Sequence, residues 1–310
     1  MSTLSTHAEP SSAGPLPPSP PIDHLTHRSR GRSLRNALAT AVMVGCFLLA
    51  LVPLCWILWT VVSRGYELLL DPQWWLSSQR GVTARREGGG AYHAILGTLM
   101  QASVTAALSV PLGVLTAVYL VEYGRGRLAQ AVSFMVDILT GIPSIVAALF
   151  VFAVWVTTFG FTRVAFAVSL SLVLLMVPVV VRTTEEMLKL VPNELREASY
   201  ALGIPKWRTI LKVVLPTAFS GIVTGVLLGL ARVMGETAPL LILGPYSASI
   251  NSDLFHGFMA ALPTMINRDR VESYDPAVDR VWAAALTLVL LVLALNVIGR
   301  AVARLGSSRK

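Results

Sequence analysis

Arg232 and Glu236 stand inside an otherwise apolar run over residues 217–243, TAFSGIVTGVLLGLARVMGETAPLLIL. A charge at membrane depth costs on the order of 3 kcal/mol on insertion scales, so such groups are retained for pairing, for function, or for both. Four residues apart on a helix, the two side chains share a face and come within reach of each other. One reading is an ion pair that only fixes helix packing. The other is a cation offered to an anionic substrate, with Glu236 orienting the guanidinium and competing for it. A guanidinium meets an oxyanion through two parallel hydrogen bonds, which suits this task better than a lysine ammonium.

Gly221, Gly225 and Gly229 precede the pair at steps of four. At about 100° per residue, all five positions fall within a helical stripe roughly 80° wide. Glycines at that spacing admit a second helix closely, so this face is expected to meet a partner helix or an aqueous path rather than lipid. Gly235 and Pro239 loosen the backbone beside the charges.

A second patterned stretch, residues 197–216, is a polar and basic island between two apolar runs. Pro192 suits the first turn of a helix, where Asn193 or Glu194 can satisfy free N–H groups. Gly203 fits the left-handed position that ends a helix, and Pro205 opens the next one. Lys206, Trp207, Arg208 and Lys212 decorate that second helix. The remaining polar positions carry less chemistry. Asp137 reads as a cap, Arg182 as a charge snorkelling at a span end, and His93 and His256 as polar surface. Residues 140–144 (TGIPS) interrupt an apolar run and either kink it or line a path.

These residues must be held by membrane spans. With 310 residues, 54% hydrophobic and 14% charged, and a mean hydropathy of +0.66, the chain is no soluble globule. Six runs approach the roughly 20 residues that cross a hydrocarbon core: 37–62, 94–118, 134–157, 163–183, 217–243 and 281–303. Residues 1–36 are rich in Ser, Pro and His and are expected to be a disordered tail. With the N-terminus inside, sixteen Lys and Arg fall in inner segments and eight in outer ones, so both termini and the 184–216 loop are expected to be cytoplasmic. The net charge of +8 is scattered between spans, which argues against a nucleic-acid partner. Cys46 and Cys55 read as packing residues without metal or redox spacing. In the first outer loop, Trp74 and Trp75 suggest an interfacial anchor and residues 88–90 a flexible connector. In the outer segment 244–280, Leu254, Phe255, Phe258 and Leu262 suggest a short amphipathic helix, and the length of the segment suggests that a solute-binding protein docks there.

Residues 197–216 resemble the loop that ABC importer permeases present to their ATPase: Glu-Ala-Ala, three residues, Gly, nine residues, Ile, one residue, Leu-Pro. Glu197, Ala198, Gly203, Leu215 and Pro216 match in register, while Ser199 and Val213 depart from the pattern. Residues 235–240 (GETAPL) after Arg232, with 140–147 (TGIPSIVA), 182–188 (RTTEEML) and 261–266 (ALPTMI), are similar to the A-type permeases of phosphate-specific transport systems. That resemblance implies an all-α membrane protein with six transmembrane helices and the type I ABC importer permease fold, spanning about residues 94–303 after a first helix at 37–62. It implies a bacterial or archaeal cell membrane and a homologous C-type permease. It further implies two ATP-binding subunits, an external phosphate-binding protein and inorganic phosphate as substrate, with Arg232 and Glu236 in the pathway. No cofactor is implied. No Gly-x-x-x-x-Gly-Lys-Ser/Thr loop occurs, so ATP hydrolysis is expected of a separate subunit and not of this chain.

Two other readings stay open from the residues alone. One is a permease for sulfate, molybdate or another oxyanion. The other is an integral subunit of a membrane redox or biosynthetic enzyme, which would want paired histidines, a cysteine set or a carboxylate cluster at membrane depth.

Overall fold

The structure, a computed structural model, describes residues 30–307, with side chains from 34 to 304. Of the expected tail over 1–36, residues 1–29 lie outside the described residues and 30–36 are helical, not disordered. In chain order the helices are α1 (Arg30–Leu70), α2 (Pro72–Leu76), α3 (Tyr92–Val118), α4 (Gly126–Gly141), α5 (Ser144–Val151), α6 (Ala165–Lys189), α7 (Asn193–Ala201), α8 (Lys206–Thr209), α9 (Leu215–Met234), α10 (Ala238–Leu243), α11 (Leu262–Asp269) and α12 (Asp275–Ser307). No strand occurs among the described residues. The chain divides into two compact units at Ile57. In the first, α1 up to Ile57 is an apolar helix whose described side chains are almost all exposed, Cys46 and Cys55 included, so the two thiols are not packing residues. Helix begins at Arg30, earlier than the expected 37, and runs on to Leu70.

Five helices are long and apolar enough to cross a membrane, and α4 with α5 makes the sixth crossing if the two count as one span. That third span is broken, not merely kinked: its halves meet at 109°. The cause is local. Ile142 is extended (φ −72°, ψ 127°) because the ring of Pro143 disfavours helical geometry before it, and Pro143 then serves as the N-cap of α5. The fifth span also stops early. Pro239 lacks an N–H and its ring would strike the carbonyl four residues back, so α9 ends at Met234 and α10 restarts at Ala238.

The second unit is organised around α6, the most enclosed span. On one side, α3 presents Gln101, Thr105, Ser109, Gly113 and Ala117, a buried row at steps of four, while Gly97, one step earlier, packs against Ala260 instead. A Cβ on Gly113 would lie 2.6 Å from Val180 Cγ1, and Thr105 Oγ1 and Ser169 Oγ both donate to the Gln101 carbonyl, at 2.7 and 3.3 Å. On the other side, the α9 glycines meet α6. Cβ atoms added to Gly221 and Gly225 would lie 2.2 Å from Met187 Sδ and 2.3 Å from Thr183 Oγ1, and one on Gly229 would touch Met176 and Val179 at 3.5–3.6 Å. The glycine row therefore admits a helix closely, and that helix is α6.

Three expectations for the connecting segments change. Trp74 is buried, with Nε1 donating to Thr287 Oγ1 at 2.9 Å, so it is a core residue and not an interfacial anchor. The glycine run is held at its end: Gly90 is buried, donates its N–H to the Ser78 carbonyl at 3.3 Å and leaves no room for a Cβ against the Gln73 carbonyl, whereas Gly88 is exposed. Leu254, Phe255 and Phe258 lie in an irregular turn held by Asn251, whose Nδ2 donates to the carbonyls of His256 and Phe258. The helix in this segment begins only at Leu262, whose N–H is capped by Thr98 Oγ1 of α3 at 2.9 Å.

Gly225→Ala should destabilise the solubilised protein by roughly 1–3 kcal/mol through overpacking against Thr183. Thr183→Gly in the same chain should recover much of that loss. Thermal unfolding of the three proteins checks this; equal midpoints would show that the α6–α9 contact is loose.

Candidate functional site

Arg232 occupies the last turn of α9, at the margin of the glycine face. Thr217, Ser220, Thr224 and Leu228 continue its exposed row along the helix, whereas Gly225 and Gly229 are buried against α6. The Arg232 side chain is 53% exposed and that of Glu236 19%. Their closest approach, Nε to Oε1, is 4.0 Å, an ionic contact too long for a hydrogen bond. Glu236 is within reach of Arg232, as its spacing suggests, but it is not part of a helix. It lies in the break after Met234, its N–H donating to the Val233 carbonyl at 3.2 Å. The two terminal nitrogens of Arg232 have no partner among the described residues. The site is thus a half-open guanidinium fork with a carboxylate beside it, on the open face of a helix that ends there.

At the other end of the same helix lies the 197–216 stretch. α7 ends in a Schellman motif: Gly203 at φ +72° sends its N–H to the Tyr200 carbonyl, and Ile204 N–H reaches Ser199. Pro192 is the N-cap of α7, and the Asn193 side chain accepts from Arg196 instead of capping a backbone N–H. Glu197 and Ala198 are exposed on α7, Gly203 is exposed after it, and Leu215 and Pro216 open α9. Ser199 is buried, its hydroxyl 2.8 Å from that of Thr209 on α8, so its departure from the usual alanine adds a specific link. α8, a π-helical turn at Ile210–Val214 and α9 run on as one span, Lys206–Met234. At 1.5 Å per residue, Lys206 and Arg232 are roughly 39 Å apart along one rod.

This end is anchored by a pair that local sequence does not reveal. Arg196 donates to Glu122 Oε1 at 3.0 and 3.1 Å and to the Leu188 and Val191 carbonyls at 2.9 and 2.6 Å. Both side chains are nearly buried, at 13% and 5% exposure. Glu122 sits in a π-helical turn at Tyr119–Tyr123 that continues α3, so one guanidinium ties α3, α6 and α7 together. Lys206 adds a hydrogen bond to the Glu122 carbonyl and lies over the Tyr123 ring. Nearby, Arg182 does not snorkel freely. It pairs with Asp137 of α4 and with Glu185, and bonds Ser133, so Asp137 is a partner rather than a cap.

At the α11 end, Asp269 and Arg280 form a buried pair at 3.3 Å, which Gln79 joins through Nε2 at 3.0 Å to Asp269. Gln79 also accepts from Tyr246, whose hydroxyl burial pushes up to about 12, keeping it a donor. His93 lies within 3.0 Å of that hydroxyl and is buried, not surface. His256 stays exposed, 2.8 Å from Asp253. Among the described residues no group of three or more His, Cys, Asp or Glu is placed to hold a metal ion. A cavity of about 610 Å³ between α3 and α9 is lined by residues such as Val110, Pro216, Phe219 and Val226; without a charge in its wall it suits no anion.

A polar helical loop at one end of a span, close-packed apolar spans and a cation within a candidate span fit one class. The chain belongs to the binding-protein-dependent transport system inner membrane component family, whose model matches residues 109–309. More particularly, it is 56% identical over 265 residues to a protein of Mycobacterium tuberculosis (strain ATCC 25618 / H37Rv) named Phosphate transport system permease protein PstA 1, covering 86% of each chain. A Pasteurella multocida (strain Pm70) protein named Phosphate transport system permease protein PstA is 37% identical over 270 residues, 87% of this chain and 94% of that one. Among solved structures, a bacterial alginate ABC transporter in complex with an alginate pentasaccharide-bound periplasmic protein matches with a TM-score of 0.62 at 14% identity. The match covers 88% of this chain and 96% of that one. An inward-facing MetNI methionine ABC transporter matches at 0.55 and 22% identity, over 70% and 94% of the two chains. These likenesses establish the importer permease fold.

Glu122→Ala should leave the Arg196 guanidinium buried and uncompensated, a loss of about 3–5 kcal/mol. Limited proteolysis of the solubilised protein should then cut between residues 190 and 210 much faster than in the parent chain. Equal cutting rates would mean that α7 is held by other contacts.

Proposed function

We propose that this chain is the A-type permease subunit of an ATP-driven inorganic phosphate importer, forming half of the translocation path with a homologous permease. The observation that carries this reading is the guanidinium of Arg232 on the open face of α9, whose only contact among the described residues is the 4.0 Å approach of Glu236 to Nε. In hydrocarbon such a group requires a partner, and the described residues supply only a distant carboxylate. Relatives that share most of this chain are named for phosphate transport. The termini and the α7–α8 end are assigned to the cytoplasm, and the α11 end to the outside, where a phosphate-binding protein docks.

In the mechanism, one of the two ATP-binding subunits seats against the exposed Glu197 and Ala198 face of α7, and the other against the homologous permease. Nucleotide-driven closure of those subunits moves α7 and α8. Because α8 runs into α9 without a gap, that movement reaches Arg232 along a continuous rod. Phosphate meets the fork of Arg232 through paired hydrogen bonds, and Glu236 yields contact as the anion arrives. When access switches, the carboxylate re-engages the cation and repels the anion, so the cation does not become a trap. The uphill step draws on ATP hydrolysed by separate subunits, since a permease with two accessible states supplies no free energy itself.

Arg232→Gln should abolish phosphate uptake by the assembled transporter in proteoliposomes while leaving its ATPase activity and subunit ratio intact. Uptake at the parental rate would reduce the pair to a packing feature. Glu197→Lys should lower the ATPase subunit recovered per permease after purification; a normal ratio with normal uptake would place the ATPase elsewhere.

A further inference from the structure

We infer that the cavity between the α9–α10 break and α11 is an antechamber for a tetrahedral oxyanion, with Arg270 as its capturing cation. The inference rests on the phosphate-permease reading and adds a second binding position to it. The cavity has a volume of about 520 Å³. Gly235 and Thr237 of the break form one wall, Asn267 and Arg270 of α11 another, and Ile266 and Leu288 are apolar parts of its lining. Gly235 and Thr237 flank Glu236, so the cavity opens on the backbone that carries the Arg232 partner.

Three observations give this space its chemistry. First, its wall holds one guanidinium and no carboxylate. A cavity of about 580 Å³ is lined by Glu67, Asp71, Glu87, Asp275 and Asp279 beside Arg64 and Arg280, and would repel an anion, whereas one of about 520 Å³ on α12 holds Arg300 and Asn296 but touches neither the break nor α11. Second, the arginines of α11 are used differently. Arg268 is engaged with Gln79 and Asp269 and lies over the Tyr246 ring. Arg270 is held only by Asn267, whose Oδ1 accepts from its Nε at 3.0 Å. That bond orients the guanidinium and leaves both terminal nitrogens without a partner among the described residues. Third, the Asn267 amide nitrogen and the Thr237 hydroxyl also have no partner there. A planar fork, an amide and a hydroxyl around one cavity form a donor set that suits an oxyanion and suits no cation.

The position of the cavity gives it a role. An anion released at the outer face meets Arg270 before it meets Arg232, and α11 roofs the break between the two. Arg270 would hold the anion by one orienting contact and pass it inward as Glu236 moves. It acts on capture, whereas Arg232 acts on passage.

The test uses the intact transporter, with Cys46 and Cys55 replaced by Ser, reconstituted in proteoliposomes. Arg270→Cys should lower phosphate uptake at limiting phosphate by about tenfold, the loss of one charged hydrogen bond. ATPase activity and subunit recovery should stay at the parental level. Modification with a cationic methanethiosulfonate should restore uptake, an anionic one should not, and phosphate should slow the labelling. Parental uptake by the cysteine variant would overturn the inference, and so would restoration by both reagents or by neither. If the unsubstituted transporter takes up a different oxyanion instead of phosphate, the phosphate reading fails. Restoration by the cationic reagent alone would then still support the antechamber for that anion.

Discussion

Close backbone approach along α6 is the constraint on which the rest of the structure depends. Helices in lipid gain no hydrophobic energy from leaving one apolar neighbour for another, so they associate where small residues let main chains touch. Here α6 is flanked by two such rows: the Gln101-to-Ala117 series on α3 and Gly221, Gly225 and Gly229 on α9. With both rows seated, the rotation of α9 is fixed. Arg232, at the margin of the glycine row, is then turned to the open face instead of the core. The charge is positioned by glycines that never touch it.

The same helix joins the two ends of the molecule. One end is clamped by the Arg196–Glu122 pair and the Ser199–Thr209 contact; the other ends in a break imposed by Pro239. Under the proposed coupling, a rod clamped at the α7–α8 end and released at a break would transmit displacement to its free end. The π-helical turn at Ile210–Val214 lies where such a rod would absorb twist. The break also frees Glu236 from helical geometry, which lets its distance from Arg232 change without unwinding α9.

Much of this was legible in the sequence because the signals are local. The spacing of the α9 glycines pointed to a close helix or an aqueous path without saying which, Gly203 and Pro205 gave the α7–α8 corner, and hydropathy gave the crossings. The extent of the breaks was not legible, since a proline in an apolar run reads equally as a kink or a stop. Treating 217–243 as one helix missed that Glu236 lies in a break between α9 and α10, though it rightly brought the residue within reach of Arg232. Partners distant in sequence were invisible too: Glu122 and Arg196 are 74 residues apart, and Gln79 and Asp269 are 190 apart. Trp74 and His93 read as surface because nothing near them announces the loop that folds over them. The buried row from Gln101 to Ala117 was available at steps of four, but its polar members disguise a packing stripe.

The account is tested most directly by ATP-dependent uptake of radiolabelled phosphate into proteoliposomes holding this chain with the subunits that co-purify with it, in the presence of excess sulfate or molybdate. The account predicts uptake that requires ATP and persists under either competitor. Uptake without nucleotide, or uptake abolished by sulfate or molybdate, would contradict it.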